Sequence, residues 1–210
     1  MSWSDMKHLS KILILWLAAS SAGCASDSLS AASLVPLSRQ MAPPDGWAAQ
    51  AGGTRGGAEA PAVNVFTVSD AAQLRRALGK SVQGSRIVQV AGVIDMSEGR
   101  PYADHADQSR RGRVALPGNT TLVGLGPGSG FVNAHLTVTR VSQVIIRNLN
   151  LRNPCDVAPR WDPKDGDGNW NAEFDAIAIV ASTHVWVDRN SFTDAPLTDD
   201  TLPVVDGKTQ

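Results

Sequence analysis

The run Asp162-Pro-Lys-Asp165-Gly-Asp167-Gly-Asn-Trp-Asn171-Ala-Glu173-Phe-Asp175 gathers carboxylates and glycines on one short segment. Oxygen donors on bendable backbone suit a hard divalent cation, Ca²⁺ above all. An EF-hand loop started at Asp165 fails, because Trp170 stands where its glycine belongs and Ala176 where its final glutamate belongs. A solvated acidic turn is the competing reading for Asp162, Asp165 and Asp167. Asp175 differs, because it directly precedes the apolar run Ala176–Val180. Glu173 lies two residues earlier, so extended backbone points both carboxylates the same way. Two such charges repel each other, and a cation relieves the repulsion.

The elements that position these residues are short apolar strands. Ile177 and Ile179 repeat Leu136 and Val138 at an offset of 41 residues. At that same offset Val185, Trp186 and Val187 repeat Val144, Ile145 and Ile146, and Phe192 repeats Leu151. A weaker copy, Thr121-Leu122-Val123, precedes Val144-Ile145-Ile146 by 23 residues. Recurring strands with variable insertions predict a stacked-coil solenoid, with a β-sandwich as the alternative. Strands are predicted at 65–68, 86–90, 114–116, 120–125, 135–138, 143–151, 176–180 and 184–187. A helix is predicted over 70–78, with Ser69 as N-cap and Gly79 closing it, lying as a cap over the open end of the stack. The connections 95–113 and 152–173 are long loops.

The bulk properties exclude several classes. The 210 residues are 42% hydrophobic and 19% charged, with a net charge of −1, so a core is affordable and no basic stripe points to nucleic acid. His8, His105, His135 and His184 lack zinc spacing. No phosphate-binding glycine loop and no Gly-x-Ser-x-Gly is present. Residues 1–25 read as a secretory signal peptide: Lys7 and Lys11, then the apolar run Ile12–Ala19, then small residues. The apolar run is about half of the ~20 residues that cross a bilayer. Lipidation at Cys24 is the alternative, disfavoured by Ser21 three places before it. Cys155 then has no intrachain partner and reads as a small buried hydrophobe. Residues 26–62 read as a loosely structured Ala/Ser/Gly/Pro-rich lead-in draped over the core.

Together the motifs GW…GGTRGG (46–57), FTVSDAAQLRRAL (66–78), LPGNTTLVGLG (116–126), VSQVIIRNLNLRN (141–153), WDPKDGDGNWN (161–171) and FDAIAIVASTHVWVDRNSFTD (174–194) resemble the pectate lyase family. The resemblance implies an all-β, right-handed parallel β-helix and Ca²⁺-dependent β-elimination of polygalacturonate. It implies that Asp175 binds the catalytic Ca²⁺, that Glu173 joins it, and that Asp165 contributes to a further, substrate-bridging Ca²⁺. It also implies an arginine base, on a segment that none of Arg152, Arg160 or Arg189 matches. Arg189 stands where the family carries a histidine. The expectation is therefore the N-terminal portion of a secreted, monomeric lyase, residues 63–210 forming part of the β-helix, inactive as this polypeptide alone. The rival readings are a non-catalytic carbohydrate-binding β-helix and a polygalacturonase-type hydrolase using paired acids such as Asp165 and Asp167.

Overall fold

A computed structural model describes residues 35–157 and 159–210; the expected signal peptide, Cys24 and residues 26–34 lie outside the described residues. The chain opens with β1 (Val65–Val68), α1 (Ala71–Ala77), β2 (Arg86–Val90), β3 (Val93–Asp95) and α2 (His105–Gly112). Three coils follow. The first is β4 (Arg113–Ala115), β5 (Thr120–Gly124) and β6 (Gly130–Val132); the second is β7 (His135–Thr139), β8 (Ser142–Arg147) and β9 (Asn150–Arg152). A hairpin, β10 (Arg160–Asp162) with β11 (Asn169–Asn171), then interrupts the stack. The third coil is β12 (Ile177–Val180), β13 (Thr183–Asp188) and β14 (Ser191–Thr193), followed by a small hairpin of β15 (Val204–Val205) and β16 (Lys208–Thr209).

Successive coils pair only in parallel and build three sheets, ordered β1-β2-β5-β8-β13, β3-β6-β9-β14 and β4-β7-β12. This is a parallel β-helix. All six residue pairs expected at the 41-residue offset are ladder partners, from Leu136 with Ile177 to Leu151 with Phe192. The weaker copy is displaced by one residue: Thr121 partners Ile145, not Val144. One residue exchanges the two faces of a strand. Thr121 therefore points outward, where its hydroxyl accepts the Gly57 N–H at 2.8 Å.

Inside, like positions stack through the coils. Ile94, Phe131 and Leu151 form one fully buried column, and Val114 and Leu136 belong to another. Each such side chain contributes about 1.5–3 kcal/mol by leaving water. The corners turn at left-handed residues that also stack at the 41-residue offset: Arg140 with Ala181, Gln143 with His184 and Asn148 with Arg189. Arg189 sits at such a corner, at φ 53°, with its side chain exposed.

Three sequence expectations are corrected. Asp70, not Ser69, caps α1; its carboxylate accepts the Gln73 N–H at 2.7 Å, while Gln73 accepts the Ser69 N–H at 2.9 Å. The expected loop 95–113 contains α2, whose buried face is polar: Arg111 pairs with Asp107, donates to the carbonyls of Ser97 and Pro101, and stacks 4.5 Å over the Tyr102 ring. The described lead-in, 35–62, is tied rather than loose. Arg39 donates to the carbonyls of Ala58 and Ala60, and Gln40 accepts from Arg147 at 3.0 Å. This segment covers the outer face of the largest sheet, where Ala60, Ile87 and Val123 form a second small core.

Candidate functional site

The segment leading into β12 is fixed by side chains rather than by a sheet. Asn153 Oδ1 accepts the Ala176 N–H at 2.7 Å, stapling both ends of the 154–175 excursion together. The Asp156 carboxylate accepts the N–H groups of Glu173 and Phe174 at 2.8 and 3.0 Å. His135, buried, approaches the Asp175 carbonyl oxygen with Nδ1 at 2.6 Å, which makes Nδ1 the protonated nitrogen of that bond. Phe174 is 3% exposed and packs between the rings of His105 and His135, at centroid distances of 5.2 and 5.6 Å. Glu173 and Asp175 flank it as exposed residues. The alternation expected of extended backbone is therefore present.

The two carboxylates nevertheless line different clefts. Asp175 lines a cavity of about 200 Å³ with Asn153, Cys155, Asp156 and Asp194. Its carboxylate makes no hydrogen bond or ion pair with another described residue. Burial, then Asp194 and Asp156, push the Cys155 thiol up, so it stays protonated at neutral pH. Cys155 is half-buried, at the wall of this cleft rather than in the core.

Glu173 lines a cleft of about 540 Å³ with Asp104, His105, Arg160 and Asn171. It bonds His105 Nε2 at 2.6 Å and forms an ion pair with Arg113. The His105 bond, opposed by partial burial and reinforced by Arg113, holds the Glu173 carboxyl below the ordinary glutamate value. Asp165 lies in neither cleft. It sits exposed with Asp167 in the turn of the β10–β11 hairpin, beyond the last ladder pair, Asp162 with Asn169. That hairpin replaces the expected loop. Trp161 and Trp170 stack edge to face across it at 5.6 Å, and Trp170 Nε1 donates to the Lys208 carbonyl at 3.1 Å.

The sequence reading missed His105, Arg113, Asp156 and Asp194. Only Asp194 carried a signal, since it repeats Asn153 at the 41-residue offset. Among the described residues, no three His, Cys, Asp or Glu side chains are close enough to hold a metal by themselves.

A family model described as pectate lyase matches residues 22–210. The chain is 42% identical over 179 residues to pectate lyase E of Dickeya dadantii (strain 3937), covering 85% of this chain and 44% of that protein. It is 32% identical over 207 residues to a pectate lyase of Bacillus subtilis (strain 168), covering 78% and 49%. Among solved structures, a thermostable pectate lyase superposes with TM-score 0.75 at 31% identity, over 81% of this chain and 53% of that one. A pectate lyase bound to a hexasaccharide superposes with TM-score 0.74 at 31% identity, over 83% and 54%. The chain spans about half the length of the curated relatives it matches.

Proposed function

The chain belongs to the pectate lyase family, and on that premise we propose that its protein is a secreted lyase cleaving polygalacturonate by Ca²⁺-dependent β-elimination. One observation carries the reading: Asp175 presents an exposed carboxylate, unpaired among the described residues, on backbone locked by His135 and Asn153. The donor chemistry fits Ca²⁺. Asp175 offers its oxygens to a cleft it shares with Asp156 and Asp194, which are not close enough to hold an ion as a trio, and the remaining ligands are what a uronate carboxylate and water provide. When bound there, Ca²⁺ supplies positive charge that acidifies the proton α to the uronate carboxylate.

The chain's own residues orient and neutralise. His135 and Asn153 hold the Asp175 main chain so that its carboxylate needs no rearrangement on binding. Glu173 serves the same ion only once released from Arg113 and His105; until then it holds those two side chains. Asp165, on the hairpin turn, serves a separate ion bridging to the polymer. The proton acceptor is assigned to none of Arg152, Arg160 and Arg189.

Retention on immobilised polygalacturonate tests the reading. The 210-residue polypeptide is retained with Ca²⁺ and released by chelator, and Asp175→Asn is not retained. Retention that ignores Ca²⁺ or the Asp175→Asn change sinks it. Ultraviolet-absorbing unsaturated uronides in the eluate would place the base within these 210 residues.

A further inference from the structure

Among the described arginines, Arg76, Arg100, Arg140, Arg152 and Arg160 make no side-chain hydrogen bond or ion pair with another described residue. Only Arg152 and Arg160 line clefts. Arg152 shares its trough with Asp95 and Asp194, carboxylates that work against an anion. Arg160 meets less of that opposition, because one of the two carboxylates in its cleft is already paired with an arginine. In its cleft Glu173 is ion-paired with Arg113 and hydrogen-bonded to His105, and the Asp104 carboxylate accepts the Asp107 N–H at 2.8 Å as the cap of α2.

We propose that Arg160, with Asn171, forms a carboxylate-anchoring subsite for an unesterified uronate of the polymer that Asp175 grips elsewhere along its length; this rests on the function proposed above. Three observations converge. Arg160 and Asn171 are ladder partners at the open end of the β10–β11 hairpin, so guanidinium and side-chain amide emerge side by side. The hairpin is stiffened by the Trp161–Trp170 pair and pinned through Trp170 to Lys208, which fixes the main chain that carries Arg160. The cleft adjoins Glu173, two residues along the extended segment from Asp175, so one linear acidic chain can reach both. A guanidinium pairs a planar carboxylate through two parallel N–H bonds and has no such partner in a methyl ester's uncharged oxygens.

The test is calorimetric titration of the full 210-residue chain with galacturonate oligomers of two to six units at saturating Ca²⁺. Wild type gains affinity with length. Arg160→Gln loses roughly tenfold for the hexamer and nothing for the dimer, as expected for one charge-assisted bond, and Arg160→Lys recovers part of the loss. Unchanged hexamer affinity in Arg160→Gln, or an equal loss at every length, overturns the subsite. If wild type shows no Ca²⁺-dependent binding, or Asp175→Asn binds like wild type, the underlying reading falls and the subsite falls with it.

Discussion

His135 holds the main chain of Asp175: its Nδ1 lies 2.6 Å from the Asp175 carbonyl oxygen, from the neighbouring coil, while the Asp175 side chain stays unpaired among the described residues. The residue offered to ligand is thus fixed by its backbone. Replacing His135 by Ala removes the partner of a part-buried carbonyl, at a cost of about 1 kcal/mol. The expected result is a lower melting temperature and weaker Ca²⁺-dependent binding, with His135→Asn recovering part of both through its amide N–H. Wild-type binding by the Ala variant would show that the Asp175 backbone needs no such hold.

Glu173 makes stability pH-dependent. Its folded pKa lies below the ordinary value of 4.5, chiefly through His105. The stabilisation is complete above the unfolded value and is lost as pH falls through the lower folded value. Because the side chain is about half exposed, the effect is under about 1 kcal/mol. Thermal melts of wild type and Glu173→Gln should differ at neutral pH and converge once the pH falls below the lowered folded value. A gap that widens on acidification would contradict the sign.

Gly57 permits the lead-in to touch the largest sheet. A Cβ there would fall 1.8 Å from the Arg86 carbonyl oxygen. Gly57→Ala should cost about 3 kcal/mol by forcing backbone apart. Limited proteolysis would then cut within 35–62 before the coils, whereas unchanged protection would show that the segment shifts freely.

The third coil has ladder partners on one side only among the described residues. Phe192 is 55% exposed, while its partner Leu151 is 2% exposed. Ile179 and Val180 are exposed beside it in the same coil. The 210-residue polypeptide should therefore self-associate, with Phe192→Ser lowering the mass seen by light scattering. A wild-type chain that stays monomeric at high concentration would refute this.

Sequence alone determined the coils. Stacked β rungs bury like positions above like positions, so Leu136 and Ile177, or Val144 and Val185, share a residue type at a fixed offset that can be read without coordinates. The exposure of Glu173 and Asp175 on either side of buried Phe174 followed from the same period of two. What the tertiary structure decided has no period. Arg113 and His105 reach Glu173 across 60 and 68 residues, and Asp156 and Asp194 reach the Asp175 cleft from loops of unequal length. The helix α2 hid for a related reason: its inward face is the Asp107–Arg111 pair, and an apolar stripe never formed in the sequence to announce it.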